Sequence, residues 1–256
     1  MASRNIVVAN WKMNPATAEE AAKLLKKVAQ SISRVKKTQV VVCPPYIYLS
    51  NLKKLSRKVA LGAQDAWGGE KGPQTGEVST EMLYNLGARY VILGHSERRA
   101  LGESSRDINK KIKGALVSGL IPVICIGERG RDENHQYFDL VKNQIRDCLN
   151  GISKNSFSSI IIAYEPVWSI STTANRRDAT AEDSYEMSMF IRKILSDLSS
   201  PEIASKVRII YGGSVNEKNA GEFVNKGGVS GLLVGGASLD SGKFFEIIKI
   251  CEASKK

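Results

Sequence analysis

Ile160-Ile161-Ile162-Ala163-Tyr164-Glu165-Pro166-Val167-Trp168 is the stretch on which the reading of this chain turns. Its short apolar, β-branched opening reads as a strand buried on both faces. The run stops at a carboxylate, and Pro166 fixes the backbone beside it. A charge at the margin of a core is costly unless it is partnered or used. Apolar and aromatic neighbours are the setting in which a carboxylate becomes a usable base near neutral pH. Alone, Glu165 would read as a surface residue at a strand end. Other apolar runs in the chain, however, end in polar or glycine-rich motifs of the same kind.

Eight such runs recur: Ile6–Ala9, Val40–Cys43, Val59–Ala63, Tyr90–Leu93, Ile121–Ile126, Ile160–Ala163, Val207–Tyr211 and Leu232–Val234. Most gaps between them carry a helical pattern. Thr17–Ser33 is one, with Thr17 as N-cap and Glu20 completing a capping box. Asp183–Leu198 is another, with Tyr185, Met189, Ile191 and Leu195 among its apolar positions. Strand–helix alternation means βαβ units, a parallel sheet and right-handed crossovers. Eight units in 256 residues suit an α/β fold closed as a (β/α)8 barrel, one domain over residues 1–256. An open doubly wound sheet is the alternative. No linker, low-complexity tract or composition break divides the chain.

The bulk properties are those of a soluble globular protein, with 42% hydrophobic and 25% charged residues. No run approaches the roughly 18 apolar residues of a membrane span. The first strand begins by Ile6, which leaves no room for a signal or transit peptide, so the cytosol is the expected location. Cys43, Cys125, Cys148 and Cys251 are widely spaced and form no Cys-x-x-Cys pair, so buried reduced thiols are expected. His95 and His135 form no zinc pattern, and no metal is expected. The formal net charge of +11 attracts anions. Its lysines and arginines are spread through helical stretches without a long basic run, which reads as solvated helix faces.

Barrel enzymes carry their chemistry at the C-terminal ends of the strands. After the first strand comes Asn10-Trp11-Lys12-Met13-Asn14-Pro15, where Lys12 can meet a phosphate or an oxyanion. After the fourth comes Gly94-His95-Ser96-Glu97-Arg98-Arg99. There the imidazole of His95 can face the mouth, and the start of a following helix would favour its neutral form. After the seventh and eighth come Gly212-Gly213-Ser214 and Gly235-Gly236-Ala237-Ser238. Glycines bring backbone N–H groups close to a ligand, and these two loops are the recurrent phosphate site of barrel enzymes.

These segments are similar to those of the triosephosphate isomerase family, in order along the whole chain. The resemblance rests on Ala9–Asn14, Gly62–Gln64, Thr75–Ser79, Gly94–Arg99, Cys125–Glu128, Ala163–Trp168, Tyr211–Val215 and Leu233–Leu239. It implies that Glu165 removes a proton from carbon 1 of dihydroxyacetone phosphate. Neutral His95 would polarise the carbonyl and shuttle protons, a division of labour already known for this family. Lys12 would offset negative charge, Asn10 would position substrate, and Glu97 would support Lys12. Backbone N–H groups of Ser171, Ser214, Gly235 and Gly236 would hold the phosphate. No metal or organic cofactor is implied. The resemblance also implies a homodimer. Its third loop, Asp65–Glu77, would enter the partner, with Thr75 reaching that subunit's Asn10 and Lys12.

The chain departs from the family in its lid, Pro166–Thr180. The family usually has two glycines there, and this chain has none and about three extra residues. Arg176 and Arg177 are expected to steer the anionic substrate, an effect weakened by salt. Two competing readings remain. A non-catalytic polyanion-binding barrel would use the +11 charge. The other is a different barrel enzyme on a related phosphorylated substrate, such as an aldolase or an indole-pathway isomerase; an aldolase of the Schiff-base type needs a lysine at a central strand end, and the sixth strand ends in Glu165 instead.

Overall fold

The computed structural model of the protein describes residues 5–56, 58–69, 71–170 and 177–254. Eight parallel strands close into a barrel in sequence order: β1 (Asn5–Asn10), β2 (Thr38–Cys43), β3 (Ala60–Ala63), β4 (Tyr90–Leu93), β5 (Ile121–Ile126), β6 (Ile161–Tyr164), β7 (Arg208–Tyr211) and β8 (Gly231–Val234). Closure is through β1 and β8, with Val7 opposite Leu232. The expected strands are all present: β1, β2 and β8 extend past their apolar runs by a residue or two, β3 and β7 begin one residue later, and β6 is shifted by one. The barrel, not the open sheet, is the fold.

Helices cover the outside: α1 (Ala18–Ser31), α2 (Tyr46–Lys53), α3 (Thr80–Asn85), α4 (Ser96–Ala100), α5 (Ser105–Val117), α6 (Gln136–Leu149), α7 (Ala181–Leu198), α8 (Pro201–Lys206), α9 (Ala220–Lys226) and α10 (Ser241–Ala253). Thr17 and Glu20 form the expected capping box on α1. A second box, Thr180 with Asp183, starts α7 two residues before the expected boundary. On that helix Tyr185 and Met189 are about half exposed, at 51% and 52%, rather than core. Ile191 and Leu195 are buried as expected, with Met187 beside them, while Ser184 and Ser188 occupy the part of the inner face where the Gly227-Gly228 backbone comes close. Ser184 donates to the Gly227 carbonyl at 3.0 Å.

Two apolar layers form. Ile6, Val8, Val41, Cys43, Ile92, Val123, Ile161, Ala163 and Ile210 fill the barrel interior. Val7, Ala9, Val40, Val42, Ile124, Ile162 and Val234 pack outward against helices. The two-residue period of a strand therefore decides what reaches the mouth. Inward Ile161 and Ala163 are followed by Glu165, and inward Ile6 and Val8 by Asn10. On β4 the inward series Tyr90–Ile92 would continue with Gly94. Gly94 takes φ +71° instead, a left-handed turn open to glycine, and the chain turns there into His95. Among the described residues, no helix is long and apolar enough to cross a membrane.

Candidate active site

Glu165 is 3% exposed, and both of its oxygens are engaged. Oε2 accepts the Ser96 backbone N–H at 2.9 Å, and Oε1 lies 2.9 Å from His95 Nε2. The apolar setting expected from the sequence is therefore only half of its surroundings. The other half is a pair of donors at the start of α4.

His95 is the N-cap of α4, and its Nδ1 accepts the Glu97 backbone N–H at 3.2 Å. An Nδ1 that accepts leaves the ring proton of a neutral imidazole on Nε2, facing Glu165. Burial pushes the His95 pKa down. The charge and hydrogen bond of Glu165 outweigh burial, with Glu97 adding and Lys12 opposing, so the net direction is upward.

Lys12 reaches Glu97, Nζ to Oε1 at 2.6 Å. Its backbone sits at φ +52°, an uncommon conformation for a side chain of this size, costing about 1 kcal/mol or more. Two side chains hold it there. Asn10 Oδ1 accepts the Lys12 N–H at 3.0 Å, and Gln64 donates to the Lys12 carbonyl at 2.7 Å and to that of Cys43 at 2.9 Å. Asn10 is thus seen fixing Lys12. Gln64 belongs to the resemblance segments, but nothing local in the sequence pointed to this contact 52 residues away.

Lys12, Glu165, Gly212, Ser214, Gly235 and Gly236 share a cleft of about 450 Å³. His95, which is 6% exposed, is not part of its wall and reaches it through Glu165. The backbone N–H groups of Ser214, Gly235 and Gly236 make no hydrogen bond among the described residues. A Cβ placed on Gly235 would lie 3.7 Å from Lys12 Cε, so the cation borders the glycine loop. The cleft combines a buried carboxylate, a cation and free N–H donors. That set can take a small anion and move a proton beside it. Ser171 and Arg176, two of the residues singled out in the sequence, lie outside the described residues.

The stem of the lid is held by a network that sequence reading missed. Glu128 is buried, and its Oε1 accepts from Tyr164 Oη and Trp168 Nε1, each at 2.8 Å. Arg131 bridges Glu128 to Asp183 and Glu186 on α7. Arg177 stacks over Trp168 at 4.4 Å and donates its backbone N–H to the Trp168 carbonyl. It is therefore tied to the stem rather than free at the mouth. In the third loop, Asp65 is clamped by Lys111 at 2.8 Å and Arg98 at 2.9 Å, while Thr75 is exposed. All four cysteines are buried and free. Among the described residues, no group of three or more His, Cys, Asp or Glu is arranged to hold a metal ion.

The family profile described as triosephosphate isomerase matches residues 5–251. Curated relatives of that name cover nearly the whole chain. The one from Dictyoglomus thermophilum is 41% identical over 250 residues, covering 96% of this chain and 99% of its own. That from Thermoanaerobacter pseudethanolicus is 41% identical over 249 residues, covering 96% and 98%. That from Rhodopirellula baltica is 40% identical over 256 residues, covering 97% and 98%.

Proposed function

Given that the chain belongs to the triosephosphate isomerase family and acts on a triose phosphate, we propose that Glu165, His95 and Lys12 carry its isomerisation reaction. The reaction interconverts dihydroxyacetone phosphate and D-glyceraldehyde 3-phosphate. Glu165 takes a proton from carbon 1, and the electron pair forms the carbon 1–carbon 2 double bond of an enediolate. His95 gives its Nε2 proton to the oxygen on carbon 2 and recovers one from the oxygen on carbon 1. Glu165 then returns a proton to carbon 2, which yields the aldehyde.

The observation that carries this reading is the 2.9 Å contact between Glu165 Oε1 and His95 Nε2 beside the anion cleft. Base and electrophile are adjacent, and the Nδ1 acceptor role selects the required tautomer. When Glu165 leaves the imidazole for the substrate and gains a proton, the main influence raising the His95 pKa goes with it. Burial then favours the neutral ring that donates a hydrogen bond. Lys12 offsets the phosphate and enediolate charge, with Glu97 orienting it and Asn10 fixing its backbone. The N–H groups of Ser214, Gly235 and Gly236 hold the phosphate, and we assign Ser171 to the same task on the strength of the resemblance alone. Lid closure excludes water, which stops the enediolate from expelling phosphate.

Dimerisation through Asp65–Glu77, with Thr75 at the partner's site, is part of the proposal. Exposed Met13 (93%), Ile47 and Met82 follow strands β1, β2 and β3 on the same side as that loop, which supports an apolar interface. The four reduced thiols suit the cytosol. The test is the Glu165→Gln variant in a coupled assay, with its fold checked by circular dichroism. Turnover at the parent rate would remove Glu165 from the mechanism. Sedimentation of the parent as a monomer at micromolar concentration would remove the dimer.

A further inference from the structure

We propose that Gln144 is a positioning residue for Glu165, acting through the backbone of Gly127. The proposal rests on the reading of Glu165 as the base. Hydrogen bonding between the strand ends continues past β5 and β6. The Glu165 N–H donates to the Ile126 carbonyl at 2.7 Å, and the Val167 N–H to that of Glu128 at 2.9 Å. Gly127 lies between these two points. A Cβ placed on it would fall 2.0 Å from the Glu165 carbonyl oxygen and 2.6 Å from its carbon. The two backbones therefore touch directly, and any shift of Gly127 is felt by Glu165.

Gln144 grips Gly127 with both ends of its amide. Oε1 accepts the Gly127 N–H at 2.9 Å, and Nε2 donates to the Gly127 carbonyl at 3.1 Å. The grip is anchored because α6 is seated by the buried Val141, Ile145 and Cys148. An amide supplies donor and acceptor together; a carboxylate or a thioether does not. The clamp matters most during turnover. To reach the substrate, the Glu165 carboxylate gives up its contacts with Ser96 and His95. Its placement then depends on its backbone, and that backbone is set against Gly127.

Gln144 and Gly127 also line a solvent-open groove of about 840 Å³, with Ser96, Arg99, Asn143, Asp147 and Val167 among the other lining residues. Water in that groove can take over the Gly127 N–H and carbonyl when the side chain is replaced. Loss of the clamp therefore frees Gly127 without leaving buried polar groups unpaired.

The experiment compares Gln144→Met, which keeps the bulk and loses both hydrogen bonds, with Gln144→Glu, which keeps only the acceptor. Steady-state kinetics in both directions and thermal melts are read together. Gln144→Met is expected to lower kcat about tenfold with KM within about twofold, since small displacements of a base are costly in the chemical step. Gln144→Glu should fall between it and the parent. A Gln144→Met kcat within twofold of the parent overturns the proposal. So does a loss of rate that merely follows loss of folded protein, or a change confined to KM. Glu165→Gln is assayed alongside: its inactivity leaves the base reading in place whatever Gln144 shows, and parent-like turnover removes both.

Discussion

Replacing Gly127 with alanine tests how closely the rate depends on the backbone of Glu165. The new Cβ would stand 2.0 Å from the Glu165 carbonyl oxygen, where an ordinary contact needs 3.4 Å or more. One of the two backbones must retreat by about 1.4 Å to restore an ordinary contact, and Gln144 holds the Gly127 side. The displacement therefore falls mainly on Glu165. A misplacement of that size costs on the order of a hundredfold in rate, or about 2.7 kcal/mol of transition-state stabilisation. Overpacking of a filled site costs about 1–3 kcal/mol of stability, less than the roughly 5–15 kcal/mol that holds a domain folded. Gly127→Ala should thus be folded at 25 °C, melt a few degrees lower, and show kcat reduced about a hundredfold. KM should change little, because the glycine loops after β7 and β8 are untouched. Combining it with Gln144→Met should give a loss smaller than the product of the two, since the freed loop can yield instead of Glu165. A folded Gly127→Ala variant with kcat within threefold of the parent would refute the reasoning.

Lys12→Ala should lower kcat/KM by about a hundredfold or more, through lost compensation of phosphate and enediolate charge. Lys12→Arg should also be poor, because a planar fork replaces a point charge. Near-normal kcat/KM in Lys12→Ala would make it a surface residue. Arg177→Ala removes a stacking contact worth about 0.5–1 kcal/mol at the lid stem. The fraction of substrate lost as methylglyoxal should rise, and an unchanged fraction would show that the stack does not latch the lid. The folded-state pKa of His95 is raised, so its contribution to stability is complete below the unfolded value near 6.5 and is lost as pH rises through the folded value. The parent melting temperature should therefore decline from about pH 6 to pH 8 more than that of His95→Gln; identical slopes would show that the Glu165 contact does not charge the ring.

Much of this protein follows from short-range pattern. Continuous apolar runs separated by amphipathic segments can bury their faces only in a sheet covered by helices; eight of them suit a barrel, and the pairing of β1 with β8 excludes the open sheet. The capping box at Thr17 and Glu20 is visible because its partners are three residues apart. Glu165 and Asn10 sit at strand ends, and the alternation of the strand carries each to the mouth without reference to the rest of the chain. His95 is almost as legible, since the glycine before it signals the turn that brings it in.

Other features depend on residues far apart in sequence, and only closure of the barrel joins them. Gln64 secures the backbone of Lys12 across 52 positions, Arg131 reaches Asp183 across the same distance, and Gln144 seats Gly127 against Glu165. The inward face of α7 was decided in the same way: Ser184 and Ser188 meet the Gly227-Gly228 backbone, Met187, Ile191 and Leu195 fill the core, and Tyr185 and Met189 are left half exposed. Periodicity reports which face of an element is apolar. It does not report what that face will meet. Contacts between distant segments acquire their geometry only when the strands register against one another, and in this protein those contacts set how firmly the base is held.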